Sequence, residues 1–417
     1  MRRRAARAGM VGALLTCFAG GGVGIARAQW ETVGRVLSLP ERPGPHWFWL
    51  SDVILHRTAL FDGDTGELLG AISSGTAGVG FVIAPLFSPD HHEIYLAETY
   101  YARGVRGERS DVVTVYDALT LKPLDEIGIP PRRGEYFPGN AANALTDDGR
   151  FMAVFNITPA TSLSIVDVKA RRFTTEIDTP GCSLAYAAGP RRFLMLCANG
   201  EALSVVLDEE GHEAHVERTA PFFDPQKDPV TEKAVRRGNE WLFVSFEGVL
   251  HTVDVAGDAF RFPETWSLVD DADRSASWRV GGPQHLAVHA ASGRLYVLMH
   301  QGPPDTHKEA GTEVWVFDLA SHRRVQRIPV SNPLASFVGQ QLEQTGRGRM
   351  SRLARWLIGK AAPNPGVERI LVTADEHPLL IESASLPPTV TIHDAMTGAV
   401  VREVSEPGIA GSLLFAP

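Results

Sequence analysis

The stretch VVTVYDALTLKPLDEIGI, residues 112–129, decides the fold. It alternates apolar and polar side chains up to Asp117, turns through a few small or polar residues, and alternates again. Period-two alternation gives a strand one buried face, and an Asp followed by a short polar turn reverses the chain. The same signature recurs in TALFDGDTGELLGAI from Thr58, SLSIVDVKARRFTTEI from Ser162 and ALSVVLDEEGHEAHV from Ala202. It recurs again in LHTVDVAGDAFRF from Leu250, EVWVFDLASHRRVQRI from Glu313 and TVTIHDAMTGAVVREV from Thr389. The seven markers are Asp62, Asp117, Asp167, Asp208, Asp254, Asp318 and Asp394. Their carboxylates suit turn amides as acceptors, so they are read as structural.

A second pattern lies between the hairpins. FSPDHHEIYLAE from Phe87, LTDDGRFMAVFN from Leu145 and HAASGRLYVLMHQ from His289 each pair a turn with a strand rich in aromatic and β-branched residues. Four strands per unit, repeated seven times, predict an all-β protein, a seven-bladed β-propeller of four-stranded blades. The widest gap between markers, Asp318 to Asp394, holds LASFVGQQLEQTGRGRMSRLARWLIGKAA. This predicts one helical insertion at residues 334–362. Residues 345–360 carry Arg347, Arg349, Arg352, Arg355 and Lys360 and no acid. Leu353, Trp356 and Leu357 would share one helical face. Such a helix either meets an anionic membrane surface or a partner, or caps the ring with its apolar face and wets its basic one.

Residues 1–28 read as a secretory signal peptide: a basic start at Arg2, Arg3, Arg4 and Arg7, an apolar run, and Ala26-Arg27-Ala28 as the cleavage site. A membrane anchor is the weaker reading, because the run is short and Gly-rich. The propeller domain then spans 29–417. The whole chain carries a net charge of −9, and losing five arginines with the leader leaves 35 basic against 49 acidic side chains. That balance excludes general electrostatic binding of nucleic acid. Cys17 leaves with the leader. Cys182 and Cys197 flank SLAYAAGPRRFLML, a strand–turn–strand pattern that brings its ends together. A disulfide is expected in an exported chain, with two free buried thiols as the alternative.

No phosphate loop, zinc C-x-x-C or H-E-x-x-H occurs. His285 and His289 lie four apart in a strand-like context and read as core or rim residues. His212 and His215 fall in a polar turn and strand, and DGDTGE from Asp62 reads as a turn lacking further calcium ligands. No catalytic, cofactor-binding or metal residue is expected in this chain.

Several stretches are similar to the heavy subunit of quinoprotein amine dehydrogenases, the methylamine and aromatic amine dehydrogenases. They are ARGVRGERSDVVTVYDALTLKPLDEIGIP from Ala102, NALTDDGRFMAVFNITPATSLSIVDV from Asn143 and DTPGCSLAYAAGPRRFLMLCANGEAL from Asp178. The most specific block is WRVGGPQHLAVHAASGRLYVLMHQ from Trp278 with HKEAGTEVWVFDLASHRRVQRI from His307. The resemblance runs from about Arg42 to Pro329 and from about Glu368 to the end. It implies a propeller subunit without a cofactor of its own. The partner is a small, disulfide-rich light subunit that carries tryptophan tryptophylquinone, two heavy plus two light chains assembling in the periplasm. Primary amines are oxidised to aldehyde and ammonia, and a small blue copper protein takes the electrons. The family places an aromatic residue of the first blade at the mouth of the substrate channel; in HWFWLSDVILHRTALFDG from His46, Phe48 and Trp49 are the candidates. The 334–362 insertion departs from the family pattern. It motivates the alternative of an exported propeller scaffold without amine oxidation.

Overall fold

Each marker aspartate ends or directly follows the third strand of a four-stranded antiparallel sheet in the computed structural model, which describes residues 38–73, 84–135, 140–405 and 407–416. The expected leader, residues 1–28, lies outside the described residues. Seven such sheets follow one another as the blades of a propeller. Blade 2 is representative: Leu86–Phe87 innermost, then Glu93–Tyr101, Arg109–Asp117 and Pro123–Ile129. In blade 6 the innermost strand is split into Trp278–Val280 and Leu286–His289, both paired with Arg294–Gln301. Blade 1 takes its innermost strand, Gly411–Phe415, from the C-terminal end of the chain and the other three from Trp47–Asp52, Arg57–Asp62 and Leu68–Ser73. The ring therefore closes by a ladder between its two ends, which removes the sheet edge an open array would leave.

The marker turns work as expected. At all seven positions a carboxylate oxygen accepts a backbone N–H two to four residues on; Asp62 holds Asp64 and Thr65, and Asp394 holds Met396 and Thr397. Packing occurs in the seams between blades. One apolar cluster joins blades 1 and 2, another 2 and 3, a large one 3 to 5, and three more close the seams 5–6, 6–7 and 7–1. Adjacent residues of a strand point to opposite faces, so a middle strand serves two seams at once. Phe48 belongs to the 7–1 seam, stacked on Phe61 at 5.5 Å, and Trp49 to the 1–2 seam, 6.0 Å from Phe87. The Cys182–Cys197 disulfide is present and joins directly opposed residues of blade 4.

Two helical regions depart from expectation. The polar stretch after Trp266 contains a short helix, α1 (Asp271–Ser275), capped by Asp270. The insertion is a helical hairpin rather than one helix: α2 (Pro333–Gln344) and α3 (Gly348–Ala361), separated where Gly346 adopts a positive φ of 74°. Asn332 caps α2, accepting the amides of Leu334 and Ala335.

Candidate partner-docking face

Antiparallel order gives the propeller two unlike faces. One holds the turns between first and second strands and the marker turns between third and fourth. The other holds the connections from second to third strand and those from blade to blade. The turns of the first are tight and polar, except the 255–265 connection of blade 5. Among the described residues the second carries the other long connections: 219–234, 302–312 and 330–368.

Exposed apolar side chains follow the same division. Ile54, Leu55, Val105, Ile157, Leu386 and Ile409 all sit on connections of the second face, Leu386 being 83% exposed. Among the described residues the tight-turn face carries Met396 alone; Leu68, Leu124, Val325, Val400 and Val401 lie on outermost strands. Exposed apolar groups gathered on one face mark an interaction surface.

The seam between blades 7 and 1 concentrates them. Asp52, 1% exposed, ends the second strand of blade 1. Its Oδ1 accepts the amides of Ile54 and Leu55 at 2.9 Å, and its Oδ2 those of Ile409 at 2.6 Å and Ala410 at 3.0 Å. Burial opposes the charged form, but the four amides outweigh it and hold this carboxyl below the usual range. One buried carboxylate thus fixes two apolar-tipped loops side by side. Gly408 makes room for it: a Cβ there would collide with Asp52 Oδ2, and its φ is 134°. Ser385, beside Leu386, donates its hydroxyl to the Gly411 carbonyl at 2.9 Å, which brings the blade 7 loop to the same seam.

Blade 2 contributes charge to this face. Arg109 chelates Asp111 at 2.7–2.8 Å and reaches Glu135 at 2.8 Å, and Tyr101 donates to Glu135 at 2.9 Å. Arg133 lies beneath, 1% exposed, its Nε donating to Thr99 Oγ1 at 3.0 Å. Burial pulls its guanidinium down to about 10, against the pull of Asp111 and Glu135.

The innermost strands of all seven blades enclose an axial cavity of about 440 Å³, lined by residues including Phe87, Leu145, Tyr186, Val235, Leu286, Leu371 and Phe415. Its wall is mostly apolar, with Glu232 and Lys233 paired at the end toward the second face. Gln284 bolts the axis. It sits in the break of the blade 6 strand, donates Nε2 to the Leu414 carbonyl at 2.7 Å and accepts the Leu414 amide at 2.9 Å. Its backbone pairs with Glu368 and Ile370 of blade 7.

The sequence candidates divide clearly. Phe48 and Trp49, 0% and 2% exposed, pack inter-blade seams, and Trp49 also borders a small cleft of about 20 Å³ beside Trp47 and Phe87. What the first blade presents on the second face is Ile54 and Leu55, two apolar residues in a hairpin turn. Their signal was the apolar pair in SDVILHR, where a turn is normally polar. His285 and His289 are structural. A carbonyl can only accept, so His285 Nδ1 donates to Gly282 and Nε2 accepts from Thr231 Oγ1 at 2.9 Å, while burial pushes the ring down to about 4. His289 Nε2 donates to the Asp375 carbonyl at 2.8 Å, tying blade 6 to blade 7. Among the described residues no three His, Cys, Asp or Glu side chains converge as metal ligands.

The profile of the family described as methylamine dehydrogenase heavy chain matches residues 52–351. The methylamine dehydrogenase heavy chain of Paracoccus versutus is 27% identical over 354 residues, 84% of this chain and 73% of that one. That of Methylophilus methylotrophus is 23% identical over 85% of this chain and 78% of its own. Two solved structures share the fold. A dihydro-heme d1 dehydrogenase has a TM-score of 0.53 at 16% identity, covering 90% of this chain and 76% of its own. A putative 6-phosphogluconolactonase from Bacteroides fragilis has a TM-score of 0.53 at 10% identity, covering 90% and 99%.

Proposed function

The chain belongs to the methylamine dehydrogenase heavy chain family, and we propose that it is the non-catalytic heavy subunit of a periplasmic amine dehydrogenase. The observation that carries this reading is the apolar, loop-built face whose centre is the seam held by Asp52. A light subunit docks there, two heavy plus two light chains forming the enzyme. Tryptophan tryptophylquinone in the light subunit supplies the two-electron oxidation of a primary amine to aldehyde and ammonia. A small blue copper protein takes the electrons onward. The role of this chain is to cover the light subunit, exclude water from its site and narrow the path of the amine. Ile54 and Leu55 stand where the first blade reaches the partner, so the wall they form is aliphatic. It favours amines with apolar substituents over charged ones.

The test is purification of the tagged chain from its native periplasm, with mass spectrometry and a visible spectrum of the complex. A co-purifying small Cys-rich chain, with quinone absorbance that bleaches on adding a primary amine, supports the assignment. A colourless chain with an unrelated partner favours the second reading, an exported propeller scaffold without amine oxidation. The helical hairpin built into the blade 6 to blade 7 connection is the observation that favours that reading.

A further inference from the structure

The helical hairpin is docked by the wrong face for a simple cap. In α3 the residues that turn toward the protein are Ser351 and Ala354, both buried, with Arg355 and Ile358 half-buried. The large apolar side chains turn outward: Met350, Leu353 and Trp356 are each 56% exposed, and Leu357 is 36% exposed. Docking is polar and specific. Arg355 pairs with Glu403 at 2.6 Å and Glu343 at 3.2 Å, and Ser351 donates to Glu343 at 2.8 Å. Gln340 of α2 donates to the Val404 carbonyl at 3.2 Å, and Ser336 to Glu403 at 2.9 Å. Gly339 lets the two helices approach, because a Cβ there would occupy the space of the Arg355 guanidinium. The outward face is therefore held rigidly in place.

Basic groups flank the exposed stripe. Arg349, Arg352 and Lys360 are exposed on the same side of α3, with Arg347 at its start. No carboxylate among the described residues pairs with any of the four. Lys360 Nζ lies 4.6 Å from the centre of the Trp356 ring. On a chain of 49 acidic and 40 basic side chains, a fixed acid-free segment is a local reversal of sign. The stripe is one helix wide. Trp, Leu and Met beside Arg and Lys that no carboxylate pairs match the headgroup region of a bilayer, where rings and aliphatic groups enter and cations meet phosphate.

We propose that α3 docks the protein on an anionic phospholipid surface. Met350, Leu353, Trp356 and Leu357 enter the headgroup boundary, and Arg347, Arg349, Arg352 and Lys360 bind lipid phosphates. This holds the protein at the membrane without spanning it, and it does not depend on amine chemistry.

The test is flotation of the purified full chain, with whatever subunits co-purify, on two kinds of vesicle. One is phosphatidylcholine alone; the other is phosphatidylcholine with an equal part of phosphatidylglycerol. Binding is expected only on the anionic vesicles and is reversed by high salt. Arg349→Glu/Arg352→Glu and, separately, Leu353→Ser/Trp356→Ser each weaken it by about tenfold or more. All four side chains are exposed, so thermal unfolding of both variants stays at the parent value and separates lost binding from lost folding. Absence of flotation on anionic vesicles overturns the proposal, as does flotation unchanged in either variant. Loss of a co-purifying protein from the variants, with no vesicle binding by the parent, overturns it in favour of a protein-docking helix.

Discussion

At the residue scale, a few side chains decide whether the ring stays closed. Gln284 offers both halves of its amide to Leu414, on the strand that closes blade 1. Gln284→Leu leaves a buried N–H and C=O of Leu414 without that partner. Unfolding in urea should show a loss of about 2–4 kcal/mol, and proteolysis should begin at the C-terminal strand. A second closure is charged. His46, just before blade 1, places Nδ1 2.7 Å from Asp64 and Nε2 3.1 Å from Asp375 of blade 7. Burial opposes protonation there, yet the two carboxylates outweigh it and raise the imidazole above its ordinary 6.5. In blade 7, His393 is likewise raised against burial by Glu382, 3.0 Å away. A folded pKa above the unfolded one means that both contacts stabilise fully below pH 6.5 and fade as pH rises through the raised values. The urea midpoint should therefore fall from mildly acidic to mildly alkaline pH. In His46→Gln, which keeps a donor but cannot take the proton, the fall should be shallower. An equal slope in parent and variant would remove His46 from the account. None of these partnerships was legible in the sequence, because Gln284 and Leu414, or His46 and Asp375, meet only after the ring closes.

The recurring element is the marker hairpin, and it was legible because its chemistry is local. An Asp at the end of a strand binds the amides just after it in any context. The structure adds a rule that the sequence pattern conceals. Four residues after the marker, Gly66, Leu121, Arg171, His322 and Gly398 adopt positive φ between 54° and 76°, and in the shorter turn of blade 4 Gly211 does so at 86°. In the same six blades the third and fourth strands slip register by a bulge. Each of these residues faces the preceding blade. Arg171 reaches Glu93, His322 stacks on Trp266 at 4.7 Å, and Leu121 fills the space above Gly70. Where glycine stands instead, the preceding blade fills the gap: Phe151 lies against Gly211, and Ile328 against Gly398. Gly211→Ala therefore meets two obstacles, a left-handed φ and the Phe151 ring, and should cost about 2–4 kcal/mol in chemical denaturation. His322→Gly loses a stacked contact but relieves the strain of a left-handed non-glycine residue. Its cost should stay within about 1 kcal/mol. A similar loss in both variants would show that backbone conformation is not what fixes these turns. The helical hairpin was legible as helix from its periodicity. Its apolar stripe was legible too, but the direction it faces was left open between outward and ring-capping, since the buried side of α3 is set by Arg355 reaching Glu403 of blade 7.

At the scale of the whole molecule, function follows from an asymmetry that no single segment displays. Every strand contributes to a seam, so apolar content along the chain says little about which apolar residues stay outside. Phe48 and Trp49 look like binding residues in a linear reading, yet alternation sends one into each neighbouring seam. Ile54, Leu55, Leu386 and Ile409 come from opposite ends of the sequence and meet on one face because the last strand completes the first blade. If that face is where a partner buries, a charge placed there should act on assembly and leave folding alone. Ile54→Asp/Leu386→Asp introduces two anions into a surface that is solvated in the free chain, so its thermal midpoint should match the parent. Buried against a partner, each carboxylate would lose hydration without gaining a matching cation. Recovery of the co-purifying light chain should then fall by about tenfold or more. Val400→Asp/Val401→Asp, on the outermost strand of blade 7, gives the control: exposed apolar residues, the same added charge, and no expected effect on assembly. Loss of the partner in the control but not in the seam variant would move the interface to the rim and leave the Asp52 seam as a purely structural clasp.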